Sequence, residues 1–160
     1  MHRIACIAAI AALCAAAAGN AGAYDLSGFG GTFGYTTPEH LRGTATFSAH
    51  AEFERTDGRI SLTPSLGYWT ANDVHDVTSN FDLHYRFNRD GAISPYLGTG
   101  VGVHFIEDQR FNQNRTHAGM NLIGGLRFPG GASYTFMEAR YTASGVDEFA
   151  VVGGITLKTY

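Results

Sequence analysis

From Leu41 to Glu54 two kinds of side chain take turns without a slip. Leu41, Gly43, Ala45, Phe47, Ala49, Ala51 and Phe53 stand against Arg42, Thr44, Thr46, Ser48, His50, Glu52 and Glu54. A period of two puts each set on one face of an extended strand, whereas a helix would scatter the apolar set around its circumference. The run also outlasts an average soluble strand.

The same alternation recurs along the chain. Phe29, Gly31, Phe33 and Tyr35 oppose Gly28, Gly30, Thr32 and Gly34, and Ile60, Leu62, Pro64, Leu66 and Tyr68 oppose Arg59, Ser61, Thr63 and Ser65. Phe81, Leu83, Tyr85 and Phe87 oppose Asn80, Asp82, His84 and Arg86, and Leu97, Val101, Val103 and Phe105 oppose Gly98, Gly100, Gly102 and His104. Ala118, Met120, Leu122, Leu126 and Phe128 then face away from His117, Asn121 and Arg127. Met137, Ala139 and Tyr141 face away from Glu138, Arg140 and Thr142, with Tyr134 and Phe136 on the unexpected side. The last run sets Phe149, Val151, Ile155 and Leu157 against Thr156 and Lys158, blurred by Val152.

Eight strands are therefore expected. Their connections alternate in kind. Thr56-Asp57-Gly58, Asp90-Gly91 and Pro129-Gly130-Gly131 read as tight turns. Thr36 to His40, Ala71 to Asp76, Glu107 to Arg115 and Ser144 to Glu148 read as looser, more polar loops. Short turns at one end and longer loops at the other are the rhythm of an up-and-down barrel.

Alternation does not say which face is outside. A soluble, lipocalin-like periplasmic barrel would turn the apolar set inward around a ligand; a membrane barrel would turn it outward. Runs of ten or more residues suit tilted transmembrane strands. Aromatic residues gather in two belts, Phe53, Phe87, Phe128 and Tyr160 toward one rim and Tyr35, Tyr68, Trp69, Phe105 and Phe149 toward the other. The apolar set is also rich in alanine (Ala45, Ala49, Ala51, Ala118, Ala139), which would leave voids in a soluble core. With lipid outside, a basic side chain on that face costs roughly 2–4 kcal/mol at the midplane. Arg86 and Arg140 must then point into the lumen.

An eight-stranded bore is only just wide enough for side chains to fill. The inward set holds Glu52, Glu54, Asp82 and Glu138 against Arg42, Arg59, Arg86, Arg127, Arg140 and Lys158. Charges so confined must pair, because an unpaired one costs several kcal/mol. The expected site is thus a structural charge network of Glu52, Asp82, Arg86, Arg127, Glu138, Arg140 and Lys158, forming a salt-bridged plug. A narrow ion-conducting pore is the sharper alternative. Inward glycines on the first and fifth runs leave room that long neighbouring side chains would fill. His50, His84, His104 and His117 also face inward, but only His104 and His117 share a hairpin and no carboxylate pattern accompanies them. No metal and no cofactor are expected.

Other classes fall away on composition. The chain carries a formal charge of −3 and no basic block, so it lacks the electrostatic footprint of a nucleic-acid binder. There is no Gly-x-Ser-x-Gly elbow and no phosphate-binding glycine loop. Met1-His2-Arg3, the apolar run Ile4 to Ala18 and Ala21-Gly22-Ala23 form a secretory signal with Tyr24 as the new N-terminus. A retained anchor is the alternative, although the apolar run is short for a membrane-spanning helix. Leu13 before Cys14 argues against a lipoprotein. The expected division is 1–23 signal peptide and 24–160 barrel domain. Both cysteines, Cys6 and Cys14, lie in the signal, so closure of the sheet rather than a disulfide must hold the domain.

Ser94-Pro95-Tyr96-Leu97-Gly98-Thr99-Gly100-Val101-Gly102 resembles the Pro-Tyr-x-Gly-x-Gly-x-Gly strand of the outer-membrane β-barrel family that includes OmpA-like and OmpX-like proteins. Glu138-Ala139-Arg140-Tyr141 and Val152-Gly153-Gly154-Ile155-Thr156-Leu157-Lys158 resemble it too. The resemblance implies a Gram-negative outer-membrane protein inserted by the outer-membrane assembly machinery. Outer-membrane lipid and lipopolysaccharide would be its partners, with roles in envelope integrity or adhesion. A monomer is expected. Family members usually end on an outward aromatic; here Thr159 holds that register and Tyr160 follows one residue later. Barrel-shaped lipid A deacylases carry Arg-Tyr-x-His-x-Ser-Asn, whereas this chain reads Arg140-Tyr141-Thr142-Ala143-Ser144-Gly145 without the general-base histidine. The expected role is therefore non-enzymatic.

Overall fold

A computed structural model describes residues 24–56, 58–88, 91–109 and 113–159. The signal segment 1–23 and Tyr160 lie outside the described residues. Eight strands follow one another in chain order: β1 (Tyr24–Pro38), β2 (Thr44–Arg55), β3 (Ile60–Ala71), β4 (Val74–Arg86), β5 (Ser94–Asp108), β6 (Gln113–Pro129), β7 (Ser133–Ala143) and β8 (Glu148–Lys158). Each pairs antiparallel with its neighbours, and β1 closes on β8 from Gly28↔Lys158 to Pro38↔Glu148. The result is a closed barrel without a free edge.

The period of two decides the faces. Phe33, Val101, Met120 and Leu122 point outward and are 58–67% exposed, while Glu52, Asp82, Asn121 and Thr156 point inward and are at most 2% exposed. An apolar exterior around a polar interior is the reverse of a soluble ligand-binding barrel. Among the described residues one buried apolar cluster, Trp69, Ala71 and Val74 with Leu41 and Ile106 against it, sits at the end of the barrel that holds the β1–β2 and β3–β4 connections.

Three expectations change here. The segment Ala71 to Asp76 is not a loop. Asn72 and Asp73 both adopt positive φ, at 49° and 64°, and Ala71 pairs with Val74. This is the backbone of a two-residue hairpin turn, and Asn and Asp tolerate the left-handed region better than most residues. Strand β4 consequently begins early and carries Asp76 and Thr78 on its inner face. Likewise Glu107 and Asp108 belong to β5, residues 113–115 belong to β6, and Glu148 opens β8. Second, Trp69 is no member of an outer aromatic belt. It shares the parity of Ser61, Ser65 and Gly67, faces inward and is 2% exposed. Third, Leu41 and Arg42 precede β2, and Arg42 is exposed in that connection rather than lumenal.

Inward glycines make room for rings and polar groups. A Cβ on Gly154 would lie 2.4 Å from the Phe136 ring, one on Gly125 2.3 Å from the Tyr96 ring, and one on Gly98 2.5 Å from His84. Tyr134 and Phe136, the pair that breaks the seventh alternation, are buried inward rings. Gly30 and Gly34 meet the wall itself, since a Cβ there would fall 2.0 Å from the Ile155 carbonyl oxygen and 2.1 Å from that of Val151. Replacing Gly34 by Val should therefore strain the β1–β8 seam, with an overpacking cost of about 1–3 kcal/mol. Gly131→Ala, which meets nothing within 4 Å, should be silent. Urea unfolding of the refolded protein in detergent micelles checks both. Equal midpoints for the two variants would refute the account.

Candidate functional site in the barrel lumen

Inward side chains lie in three tiers between the end where β1 begins and β8 stops and the opposite, hairpin end. Nearest the start of β1, Arg127 of β6 is ion-paired with Glu52 of β2 and reaches Glu54 Oε1 at 3.2 Å. Arg86 of β4 meets the same Glu54 oxygen at 2.6 Å and also donates to the Gly58 carbonyl. The Tyr134 hydroxyl donates to Glu52, and the Arg127 guanidinium lies 3.8 Å over the Tyr134 ring. Two carboxylates thus face two guanidinium groups. All four come from even-numbered strands, so the bonds run across the bore rather than along one wall.

Halfway along, Arg140 of β7 lies 2.8 Å from Asp82 Oδ2 and 3.0 Å from Glu138 Oε1. The Arg140–Asp82 contact is an ion pair without hydrogen-bond alignment, while Asp82 Oδ1 accepts from Asn121 Nδ2 at 2.8 Å. Asn121, fully buried, donates its other amide hydrogen to Asn80 Oδ1 at 3.0 Å and accepts from the Thr142 hydroxyl at 2.9 Å. The Tyr96 hydroxyl donates to Glu138 Oε2 at 2.9 Å. Here two carboxylates share one cation.

Toward the hairpin end, His104 Nδ1 lies 2.7 Å from Asp76 Oδ2, and the Thr78 hydroxyl donates to the same oxygen at 3.2 Å. Glu148 accepts from the Thr36 hydroxyl at 2.6 Å and from the Trp69 indole at 3.0 Å. Cavities of about 40 and 70 Å³ flank Arg140, one toward each end, and each has room for a few waters.

Six of the seven expected network residues fall in the first two tiers: Glu52, Arg86 and Arg127 together, and Asp82, Glu138 and Arg140 together. Lys158 joins neither. It ends β8 at the rim, where its ammonium donates to the carbonyls of Gly130 and Gly131 at 2.9 and 3.1 Å. Arg59 is exposed beside the same rim, its carbonyl accepting from the Arg86 amide at 2.8 Å. His50 bonds the Thr156 hydroxyl at 2.8 Å, and the His117 ring lies against Gly145. The hairpin-end tier is not expected from the sequence, because the polar runs that hold Asp76 and Glu148 read as loops. Continuing the β4 alternation back from Asn80 through Thr78 would have reached Asp76.

Beyond this end, the β7–β8 connection is tied by Asp147. Its carboxylate accepts from the Tyr141 hydroxyl at 2.6 Å and from the Ser144 amide at 3.1 Å. These two donors, the hydroxyl first, hold its pKa below the ordinary aspartate value.

No family model matches the chain, and no curated protein sequence matches it. Solved structures do. Neisserial surface protein A (NspA) superposes with a TM-score of 0.64 at 12% identity, over 85% of this chain and 96% of that one. Ail, the attachment invasion locus protein of Yersinia pestis, superposes at 0.51 and 12% identity over 86% and 99% of the two chains. In complex with the heparin analogue sucrose octasulfate, Ail superposes at 0.54 with the same identity and coverage. The fold is that of the eight-stranded outer-membrane β-barrels.

Two outcomes are expected. Arg127→Met leaves Glu52 buried without its cation and should cost about 3–5 kcal/mol. Adding Glu52→Gln should restore most of it, by urea midpoint in micelles; strictly additive losses would contradict the pairing. The Asp147 tie is present above the ordinary aspartate value of about 4 and is lost as pH falls through its depressed value. Exchange protection of the Ser144 amide should accordingly survive at that ordinary value and disappear below it. Loss at higher pH would count against the tie.

Proposed function

We propose that this chain is an integral outer-membrane protein of a Gram-negative cell, non-enzymatic, with a lumen plugged by its salt bridges and a structural or interactive role in the envelope. The observation that carries the reading is the inversion of polarity. Phe29, Phe33, Phe47, Leu97, Val101, Met120, Leu122, Met137 and Ile155 form an exposed apolar band, while the ion pairs lie inside. In water such a band far exceeds what a soluble monomer exposes; against hydrocarbon it is the expected exterior. Outer-membrane lipid and lipopolysaccharide are then its immediate partners, reached through the assembly machinery, and the barrel acts as a monomer.

Plugging follows from geometry and charge. Arg140 stands between the two small cavities, held by Asp82 and Glu138, and Arg127 spans the bore to Glu52. A narrow pore would need those pairs to part. A reaction finds no support: Ala143 occupies the deacylase histidine position and is exposed on the outside. Nor does the hairpin end suit a polyanion like the one bound by Ail. Among its described residues, Glu39, Asp73, Glu107, Asp108 and Asp147 outnumber Arg42 and Arg115. Acidic groups there suit cation-bridged contact with lipopolysaccharide phosphates better than direct anion binding.

The test has two arms. In lipid vesicles Val101→Arg, on the outer face at mid-strand, should lower the unfolding free energy by roughly 2–4 kcal/mol. Purified protein in planar bilayers should give no conductance steps of porin size. A chain that stays soluble without detergent would defeat the membrane reading, and steady conductance would replace the plug by the pore.

A further inference from the structure

We propose that Asp76, His104 and Glu148 form a binding site for one divalent cation of the zinc class at the hairpin end of the lumen. The three residues come from β4, β5 and β8, and β8 lies across the ring from β4, so the site is assembled by barrel closure. Their ligand atoms lie within 4.8 Å of one another.

Unused donor capacity points the same way. Asp76 is fully buried and His104 is 4% exposed, yet Asp76 Oδ1 and His104 Nε2 have no hydrogen-bond partner. An ion bound here takes the place of the proton that His104 Nδ1 shares with Asp76 Oδ2, so that ring nitrogen and that carboxylate both face it. Glu148 is held by the Thr36 hydroxyl on one oxygen and the Trp69 indole on the other. Each of its oxygens retains a lone pair for an ion.

Charge makes the same demand. Among the described residues, no Arg or Lys is ion-paired with Asp76 or Glu148; the only ionic neighbour of Asp76 is His104. Arg140, the cation of the next tier, is engaged by Asp82 and Glu138. Two carboxylates and a neutral imidazole carry −2, which one divalent cation cancels. A protonated imidazole would cancel only half.

Donor chemistry selects the class. One imidazole with two carboxylates is a hard-to-borderline set that suits zinc and its neighbours; no thiolate is present to favour copper(I), and magnesium prefers oxygen alone. Three protein donors leave a position for water, and the cavity of about 70 Å³ lined by Trp69, Thr78, His104, Thr142 and Glu148 has space for it.

The probe is Zn²⁺ itself, added to the mature chain refolded in detergent micelles and stripped with a chelator. Trp69 is the only tryptophan, and it touches Glu148. One equivalent of Zn²⁺ should give a saturable change in its fluorescence, matched by calorimetry, reversed by chelator and absent with Mg²⁺. Glu148→Gln and His104→Gln should each weaken binding about tenfold or more while the heat-modifiable gel shift shows that they fold. Lack of saturable one-equivalent binding by folded protein would overturn the proposal. So would undiminished affinity in both folded variants, which would assign the ion to other histidines such as His40, His75 or His117. Should one variant fail to fold, the other and the wild-type stoichiometry still decide.

Discussion

Everything in this molecule follows from the main-chain ladder that joins β1 to β8. Hydrogen bonding continues around the ring, so no row of amides is left at an edge. Eight strands closed in this way fix a bore too narrow for bulk water, and whatever charge is put inside must find its partner inside. The ladder tolerates that seam only because Gly30 and Gly34 have no side chains to press on the β8 backbone. Closure therefore sets both the outer surface, available to an apolar medium, and the inner chemistry.

Filling the bore takes two kinds of side chain. Rings of Tyr96, Tyr134 and Phe136 lie against inner glycines or beside them, so the wall is thinned where the filling is thick. Between the rings, carboxylates and guanidinium groups bridge opposite walls. A buried pair of this kind adds little net stability beyond a hydrophobic replacement, yet breaking it is costly because one charge remains stranded. The lumen consequently fixes register more than it strengthens the fold: slipping one strand by a residue would turn Glu52 or Asp82 outward and Phe53 or Phe81 inward.

Most of this was legible in the sequence because a period of two is a direct record of facing. Strand number, the inward placement of Glu52, Asp82, Arg86, Arg127, Glu138 and Arg140, and the closed architecture all come from alternation plus the need to pair charges. The errors share a cause. Polar residues at the hairpin end read as loop, although a strand projecting past the apolar band has no reason to keep an apolar face. Ala71 to Asp76 concealed a tight Asn-Asp turn in this way, and with it Asp76. Trp69 belongs with the belts by its chemistry, although its parity puts it inside. Lys158 obeyed parity, yet its long stem at a strand end reaches the turn carbonyls more readily than the bore. No local pattern could pair Glu148 with Asp76, because their meeting is a product of closure alone.

The tiers also differ in charge. Near the start of β1, Glu52 and Glu54 are matched by Arg86 and Arg127; at mid-height Asp82 and Glu138 share Arg140; at the hairpin end Asp76 and Glu148 have only His104. Cationic compensation thus thins from one end of the bore to the other. The connections beyond the last tier do not restore it, since they too carry more acid than base. An ion entering from the hairpin end meets a potential that favours cations and opposes anions. Farther in, it meets Arg140 and then Arg127, each locked in a pair across the lumen. In the proposed plugged barrel, such an arrangement admits a cation to the hairpin-end tier and stops it at the middle one. On the proposed reading, the same gradient that makes the interior a poor pore makes its mouth a place where a divalent ion rests.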